Sequence, residues 1–291
     1  PPPHFFLQAN HARAAAQESR GLGDVYKRQL LRRDLPRLIS LLRAIEGIDD
    51  IALTTNALLL AEQAEALQKS GLDRVNVSLD SLLRERFEQI TRRDALDRVL
   101  RGIEQAAKTF QGPLKINAVL MRGLNDAEAP AFAELARKHG HTIRFIEYMP
   151  LDADESWSRS SLVTGAEIRE RIDRHLENGA RLIEDPARDQ RAPAADYIFS
   201  DGAPGKIGFI NSVSEPFCEN CNRIRITADG KLRTCLFSQE ETDIASLLRG
   251  GASDEKIAAA VQAAVHDKEP GHGINEPDFV RANRSMSQIG G

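Results

Sequence analysis

The stretch Val75-Asn76-Val77-Ser78-Leu79-Asp80 decides the fold class of this chain. Its composition predicts a β-strand, and it lies between an alanine-rich helical pattern that stops at Gly71 and a second helical pattern over residues 95–109. A glycine just past a helix end is favoured because it adopts left-handed backbone angles with little strain. Helix, strand and helix in this order predict a unit of α/β type.

The same alternation continues outward from this strand in both directions. Helical apolar spacing covers residues 31–45 and the segment after Asn125, which is the predicted cap of that helix. Further strands are predicted over residues 50–56, 115–121 and 142–149. Strand and helix therefore alternate at least three times, which predicts parallel strands joined by right-handed crossovers, in an open sheet or a barrel.

Beyond residue 150 the pattern loosens. A capping box beginning at Thr164 opens a helix, and residues 185–195 are polar and loop-like. Residues 206–213 predict another strand. The turn signal Ala228-Asp229-Gly230 then predicts a hairpin in a second, metal-bearing domain.

The chain has three cysteines, Cys218, Cys221 and Cys235, and the predicted hairpin returns the third to the first two. Three thiolates with one open position are typical of a metal site. On spacing alone three interpretations stay open: a zinc site completed by a histidine, an iron–sulfur cluster with a non-cysteine fourth ligand, and free buried thiols. No histidine stands at a convincing spacing, since His266 and His272 follow Cys235 only after thirty or more residues. A disulfide is the weakest alternative, because the count is odd and no secretory signal is visible.

Polar residues cluster at the ends of the predicted strands. Thr54, Ser78 and Met149 lie at carboxyl ends, the edge at which parallel α/β sheets bind ligands. Each of them alone is also an ordinary turn, capping or packing residue. Lys115 stands in an otherwise apolar strand, so it either binds an anion or reaches water at the strand edge.

The composition excludes several classes of protein. The chain has 291 residues, 41% of them hydrophobic, and a formal charge of −4, which argues against a broad nucleic-acid or membrane-surface binder. No apolar run reaches the length of about eighteen residues that spans a bilayer, and few unpaired cysteines favour a cytoplasmic location. Residues 1–29 show no sustained period, so we expect a non-native or disordered leader that contributes no packed core.

Together these stretches resemble the GTP 3′,8-cyclases, radical S-adenosylmethionine enzymes of the molybdenum cofactor biosynthesis protein A family. The resemblance covers residues 30–291. It is carried by Leu31-Arg32-Arg33-Asp34-Leu35, Leu53-Thr54-Thr55-Asn56, Val75-Asn76-Val77-Ser78-Leu79-Asp80, Arg144-Phe145-Ile146-Glu147-Tyr148-Met149, the Cys-x₂-Cys-x₁₃-Cys block and Gly290-Gly291.

This resemblance implies an incomplete (β/α) barrel of the radical S-adenosylmethionine type, truncated at its amino-terminal end. Residues 30–163 are expected to form the partial barrel, and residues 164–291 a domain with an auxiliary [4Fe-4S] cluster and the Gly-Gly tail. In the family three cysteines hold that cluster, here Cys218, Cys221 and Cys235, and its open iron binds the purine of GTP. The resemblance therefore favours iron–sulfur over zinc.

The resemblance also implies ligand contacts, position by position. Ser78 and Met149 match residues that contact S-adenosylmethionine, and Thr54 and Lys115 match residues that contact GTP. The stretch Arg223-Ile224-Arg225 matches the segment that holds the nucleotide. Its two arginines are expected to share one face if the segment is extended.

The two ends of the chain compare differently with the family. Gly290-Gly291 match a tail that reaches into the active site. No cysteine precedes Cys218, so the family's Cys-x₃-Cys-x₂-Cys loop, whose second [4Fe-4S] cluster cleaves S-adenosylmethionine, has no counterpart here. The Gly-Gly-Glu motif is missing before Leu31, and Ala57 stands where the family reads glycine. We therefore expect a fragment that keeps the GTP half of the site and is inactive as it stands.

By resemblance, the family reaction converts GTP to (8S)-3′,8-cyclo-7,8-dihydroguanosine 5′-triphosphate, because a 5′-deoxyadenosyl radical takes a hydrogen from ribose C3′ and the new radical attacks C8. The implied partners are GTP, a reductant such as flavodoxin or ferredoxin, and the downstream cyclic pyranopterin monophosphate synthase. A homodimer is left open, and no nucleic acid or membrane is expected. Two rival interpretations are a metal-stabilised nucleotide-binding module without catalysis and another radical enzyme with an auxiliary cluster and a different substrate.

Overall fold

A computed structural model describes residues 5–7, 29–151, 157–189, 192–284 and 286–289. Its strands are β1 (Phe5–Leu7), β2 (Ile51–Thr55), β3 (Arg74–Ser78), β4 (Lys115–Leu120), β5 (Thr142–Glu147), β6 (Leu182–Glu184), β7 (Ala195–Phe199), β8 (Lys206–Ile210), β9 (Arg225–Ile226), β10 (Lys231–Arg233) and β11 (Thr242–Asp243). Its α-helices are α1 (Leu35–Arg43), α2 (Leu60–Lys69), α3 (Arg84–Thr91), α4 (Leu96–Thr109), α5 (Ala129–His139), α6 (Gly165–His175), α7 (Ile244–Arg249), α8 (Asp254–His266) and α9 (Met286–Ile289).

The first eight strands form one open sheet in the order β1-β2-β3-β4-β5-β8-β7-β6. Neighbouring strands from β1 to β5, and β5 with β8, are parallel. Strand β7 is antiparallel to both of its neighbours. The predicted α/β class is therefore confirmed as a mixed, mostly parallel sheet, and the described strands do not close into a barrel.

Helices α1 to α6 pack on one side of this sheet around a single hydrophobic core. In α4 the buried positions are Leu96, Val99, Gly102, Ile103 and Ala106, which recur every three or four residues and so form one stripe. Burial of that stripe against α2 and the sheet stabilises the helix far more than its intrinsic propensity does.

Several elements agree with the sequence-based expectations. The helix before β3 ends at Ser70 and is followed by Gly71 with φ +99°, as predicted. Thr164 and Glu167 form the capping box at the start of α6. Strands β9 and β10 pair antiparallel around Gly230, which has φ +84°, so the predicted hairpin is confirmed.

Other elements differ from the expectations. Asn125 does not cap α5, because its side chain accepts from the Met121 N–H and donates to the carbonyls of Asp80 and Val119, fixing the loop after β4. Helix α3 and the β6–β7 hairpin were not expected. Helix α3 is short and strongly polar, and the two strands have only three and five residues, so none of them shows a clear apolar period.

Residues of the expected leader and of the expected carboxyl-terminal domain belong to the main sheet. The backbone of Phe5–Leu7, inside the expected leader, pairs in parallel with Ile51–Leu53, so these three residues extend the sheet. Residues 1–4 and 8–28 lie outside the described residues. The expected boundary at 163/164 falls within the main sheet, since β8 pairs with β5.

The carboxyl-terminal part adds a small antiparallel sheet, β11-β10-β9, with α7 and α8 beside it. A second hydrophobic core lies here and is formed by Leu151, Val213, Phe237, Ile274 and Ile289. Because Leu151 closely follows β5 and Ile289 ends α9, this core joins the end of the sheet to the end of the described chain.

Candidate functional site

Strand β4 shows which side of the sheet carries polar side chains. Ile116, Ala118 and Leu120 are buried in the core beneath the helices, whereas Lys115 and Asn117 are half-buried. Successive strand residues point to opposite faces. The polar residues of β4 therefore lie on the side of the sheet away from the helices.

Pairing between strands extends this side across the sheet, because residues opposite each other in a ladder point the same way. Among the residues that share this side, we group seven under the name polar face: Thr54, Asn76, Ser78, Lys115, Asn117, Arg144 and Asp196. Gly208 pairs with both Arg144 and Asp196, and a Cβ atom there would lie 2.6 Å from Asp196 Oδ1 and 3.3 Å from Arg144 Cγ. The glycine thus leaves room for these two side chains.

The polar face carries buried atoms that have no hydrogen-bond partner among the described residues. They are Asn76 Oδ1, Ser78 Oγ, Asn117 Oδ1, Arg144 Nε and Asp196 Oδ1. Buried polar atoms of native proteins are nearly always bonded. Their concentration on one face indicates a place where a polar ligand completes the hydrogen bonding.

The polar face is also electropositive. Burial, followed by the positive charges of Arg144 and Arg74, lowers the pKa of Lys115 to about 8, against a smaller opposing effect of Asp196. Burial likewise lowers the pKa of Arg144. Two partly desolvated cations side by side favour an anionic ligand. The expected GTP residues Thr54 and Lys115 lie together on this face.

The two residues expected to contact S-adenosylmethionine lie at the carboxyl edge of the sheet. Ser78 is the last residue of β3, and Met149 follows β5. Met149 packs against the second hydrophobic core, together with Trp157 and Leu162. The structure therefore brings Met149 close to the carboxyl-terminal part of the chain.

Residues 218–235, which we call the cysteine segment, bring the three thiols into mutual electrostatic range. A one-turn 3₁₀ helix spans Cys218–Asn220, and the Cys221 N–H donates to the Cys218 carbonyl at 3.0 Å. Burial raises the pKa of Cys218, and the thiols of Cys235 and Cys221 raise it further. All three cysteines are half-buried and free.

Cys221 has two cationic neighbours. Arg223 Nε and Lys268 Nζ each lie 3.4 Å from Cys221 Sγ. Burial alone would raise the pKa of this thiol, but hydrogen bonds from Arg223 and the charges of Arg223 and Lys268 bring it down to about 7. The arrangement favours the thiolate, which is the form that binds metals.

A histidine ligand for zinc does not emerge from this geometry. His272 lies near Cys218, which accepts a hydrogen bond from its backbone N–H. However, the His272 ring is already used, because Nδ1 accepts from the Ile274 N–H at 3.2 Å and the ring also bonds the Ser212 backbone. Within the described ranges, no three His, Cys, Asp or Glu side chains form a group suited to a single metal ion.

The two arginines of the cysteine segment share one face, as the sequence predicts for an extended segment. Burial alternates from Asn222 to Ile226, with Arg223 and Arg225 half-buried and Ile224 45% exposed. Arg223 stacks over the Phe217 ring at 5.0 Å. Burial lowers the pKa of Arg225 to about 10, with Arg223 the first of its charged neighbours, so the two guanidinium groups lie close together. The Ile224 side chain points away from them.

Glu147 connects the main sheet to the cysteine segment. It ends β5, is 2% exposed, and accepts from the backbone N–H groups of Val213 and Ser214 at 2.7 and 2.8 Å. The Ser214 hydroxyl donates to its other oxygen. These residues begin the loop that leads from β8 to Cys218, so Glu147 fixes where the cysteine segment starts.

Sequence reasoning missed Arg144, Asp196, Glu147 and Lys268. Arg144 carried a usable signal, since it is a charged residue inside an apolar strand, as Lys115 is. Lys268 carried none, because it lies on a loop far from the cysteines in sequence.

The carboxyl-terminal tail begins close to this region. Ile289 is fully buried in the second core, and the Met286 N–H donates to the Leu151 carbonyl at 2.9 Å. Arg284 pairs with Asp229 at 2.9 Å and with Glu241 at 2.6 Å. Gly290 and Gly291 themselves lie outside the described residues.

Among the helices of the described residues, none combines the length and the apolar character that crossing a membrane requires.

Two family descriptions match the sequence. The Radical SAM superfamily matches residues 9–136, which include strands β2 to β4. Molybdenum Cofactor Synthesis C matches residues 141–274, which include the cysteine segment. A solved structure of TYW1 with a lysine–pyruvate adduct covers 54% of this chain and 49% of its own, with 18% identity and a TM-score of 0.40.

Curated relatives match most of the chain. GTP 3′,8-cyclase of Paenarthrobacter nicotinovorans is 46% identical over 277 residues, which are 90% of this chain and 77% of that protein. The enzymes of Mycolicibacterium smegmatis and Streptomyces coelicolor are 46% and 44% identical, again over 90% of this chain and over 72% and 76% of their own lengths. The α/β sheet is thus of the radical S-adenosylmethionine type, and the chain belongs to the GTP 3′,8-cyclase family.

Proposed function

We propose that this chain binds GTP at the carboxyl edge of the sheet, for the GTP 3′,8-cyclase reaction of molybdenum cofactor biosynthesis. The observation that carries the proposal is Arg225. Its guanidinium is partly desolvated beside Cys221 and Cys235, and no carboxylate among the described residues pairs with it. A desolvated cation needs an anion, and guanidinium groups match phosphate oxygens with forked donors.

The polar face supplies further contacts for the same ligands. Lys115 and Arg144 would neutralise phosphate charge, and Thr54 of β2 lies on the same face, separated from Lys115 by Asn76 of β3. The unpartnered Ser78 Oγ, with Met149 at the end of β5, would contact S-adenosylmethionine. Glu147 holds the loop that leads to the cysteine segment against the end of β5, and on this ground we assign these residues and the arginines to one site.

Cys218, Cys221 and Cys235 fit an auxiliary [4Fe-4S] cluster. The three thiols are half-buried, two cations lie against Cys221, and the His272 ring is engaged elsewhere. When bound, such a cluster supplies an iron with an open position that can coordinate an electron-pair donor of the purine. The residues of the chain would hold the nucleotide, orient it and exclude water around it.

A second [4Fe-4S] cluster is not matched by the residues of this chain. Family membership implies a cluster that activates S-adenosylmethionine, yet the sequence holds no cysteine besides the three of the cysteine segment. This observation favours a second candidate function, a nucleotide-binding module without catalysis. Under either function residues 30–163 and 164–291 supply the two halves of the site, with Gly290 and Gly291 as its tail. The reductant, the downstream synthase and a homodimer belong to the first candidate.

Substitution of Arg225 tests the GTP site. Arg225→Ala removes one phosphate contact, so we expect GTP binding to weaken by about 1–3 kcal/mol, the usual contribution of a hydrogen bond to a charged group. Titration calorimetry with GTP and guanosine on the anaerobically reconstituted chain measures the loss. Guanosine binding should hardly change, because guanosine carries no phosphate.

The matched control is Arg249→Ala, which removes an exposed guanidinium from the end of α7. It should bind GTP as the unsubstituted chain does. Equal losses for GTP and guanosine in Arg225→Ala would reject the phosphate role and indicate general damage to the site.

Metal and sulfide analysis of the same reconstituted protein tests the cluster. We expect four irons and four sulfides per chain, as the formula [4Fe-4S] requires, and an electron paramagnetic resonance signal after reduction. Stoichiometric zinc that iron does not replace would reject the cluster in favour of a zinc-bound module.

A further inference from the structure

Lys268 is the one cation near the cysteines that comes from outside the cysteine segment, within the part of the chain that the structure describes. It follows α8, and its side chain crosses to Cys221. The ligand contacts that the resemblance implies do not include Lys268. Its ammonium group makes three contacts, all to the same short stretch of chain.

The three contacts use the full donor capacity of an ammonium group. Lys268 Nζ donates to the Cys221 carbonyl at 2.6 Å and to the Arg223 carbonyl at 3.1 Å. The third contact is to Cys221 Sγ at 3.4 Å. Two carbonyls bound by one cation fix the backbone between Cys221 and Arg223, and this backbone sets the direction of the Arg223 side chain.

The third contact has an electrostatic consequence for a metal centre on Cys221. A cation and a hydrogen bond at a ligand sulfur stabilise the centre more strongly after it gains an electron, because its negative charge has then increased. The reduction potential of the centre rises accordingly.

We propose that Lys268 is a positioning residue that fixes the Cys221–Arg223 backbone and raises the reduction potential of the metal centre on the cysteine segment. The inference rests on the proposed cluster. The chain's three cysteines permit one such centre, so the spectroscopic signal of the loaded protein comes from a single site.

Three variants of the full chain test the inference after anaerobic reconstitution. Lys268→Met keeps about the same side-chain length and removes the positive charge and the hydrogen-bond donors. Lys268→Arg keeps the positive charge and the donors. Lys256→Met is the control, since Lys256 is exposed in the first turn of α8, the helix that precedes Lys268. The measurements are iron and sulfide content, and reduction potential by spectroelectrochemical titration.

We expect Lys268→Met to shift the reduction potential to more negative values. Lys268→Arg should return the potential most of the way to that of the unsubstituted chain, and Lys256→Met should leave it unchanged. If Lys268→Met loses the cluster and Lys268→Arg recovers it, positioning is likewise supported. Equal potentials at equal cluster content in the unsubstituted chain and Lys268→Met would overturn the inference, as would loss of the cluster in both Lys268 variants. An unsubstituted chain that binds no iron would reject the cluster itself, and the inference with it.

Discussion

At Lys115 burial and two neighbouring guanidinium groups act against the positive charge of the ammonium group. An isolated lysine side chain holds its proton to a pH of about 10.4, whereas the pKa of Lys115 in the folded chain is about 8. Below pH 8 both states carry the charge, and the folded state is destabilised by it. Between these two pH values the unfolded state binds more protons, so folding stability rises with pH.

Substitution of Lys115 should therefore stabilise the free chain. We expect Lys115→Met to raise the thermal midpoint at pH 7 by a few degrees, about 1 kcal/mol because the side chain is only half-buried. The advantage should shrink as pH rises through 8 and vanish near 10.5, the ordinary pKa of lysine. Calorimetric unfolding across this range measures it, with exposed Lys69→Met as control.

The same variant should bind GTP more weakly, because the cation that destabilises the free chain is the one that the nucleotide needs. A Lys115→Met variant that is less stable than the unsubstituted chain at pH 7 would contradict this account of the side chain.

Between elements, two close approaches decide how the sheet and its helices fit. Gly102 of α4 lies over the turn after β2, where a Cβ atom would be 2.4 Å from the Ala57 carbonyl oxygen. Ala57 itself has φ +60°, a left-handed angle that glycine adopts more easily. The family glycine at this position thus has a conformational reason, and Ala57 keeps the turn at some cost in strain.

Substitution at Gly102 tests this contact. Gly102→Ala should destabilise the fold by about 1–3 kcal/mol through overpacking, although alanine has the higher helix propensity. The control is Gly165→Ala in α6, where the nearest atom is Asn211 Oδ1, the end of a side chain that can rotate. Urea unfolding measures both, and we expect the smaller loss in the control. Equal stability of Gly102→Ala and the unsubstituted chain would show that α4 can move away without cost.

Glu147 joins elements that are distant in sequence. Glu147→Ala leaves three donors without their acceptor, so we expect a loss of about 1.5–3 kcal/mol or more in the free energy of unfolding. Glu147→Gln keeps an acceptor oxygen for the backbone N–H groups and should lose less. The alanine variant should also take up less iron on reconstitution, because its cysteine segment starts in the wrong place. Normal iron content in Glu147→Ala would refute that link.

Apolar periodicity predicted the helices and strands that bury a regular stripe of side chains. Elements without such a stripe or a turn signal were not predicted. Strands β2 to β5 and the hairpin around Gly230 were predictable because their patterns are local. The β6–β7 hairpin was not, since its strands are short, a polar loop separates them, and β7 takes its second partner from β8. Strand-end polarity singled out Thr54 and Ser78, and a lysine in an apolar strand singled out Lys115; all three lie on the polar face. Lys268 was not singled out, because its contacts depend on how α8 packs.

Across the whole molecule, the carboxyl-terminal part is tied to the sheet at more than one place. Asn275 Nδ2 donates to the Val213 carbonyl at 2.8 Å, and Arg159 donates to Asn275 Oδ1 at 2.8 Å. Together with Glu147 and the second core, these contacts hold the loop that precedes the cysteine segment at the end of β5. The proposed ligand-binding half of the site therefore depends on contacts that the fold itself supplies.

Cleavage of S-adenosylmethionine in the manner of the family needs a second cluster, and that cluster needs cysteine ligands beyond these three. We expect the reconstituted, dithionite-reduced chain to produce no 5′-deoxyadenosine from S-adenosylmethionine above the background of a Cys218→Ala, Cys221→Ala, Cys235→Ala variant. Chromatography of the quenched reaction measures it. Production above that background would contradict the prediction, even if GTP binds normally.

The restriction of all thiols to the cysteine segment makes this chain a convenient object for chemical labelling. A maleimide dye or a spin label can attach by thiol chemistry only within residues 218–235. Fluorescence from an attached dye would report thiols that hold no metal centre, without any engineered cysteine. Protection of all three thiols from the reagent would count the fraction of molecules that carry a metal centre.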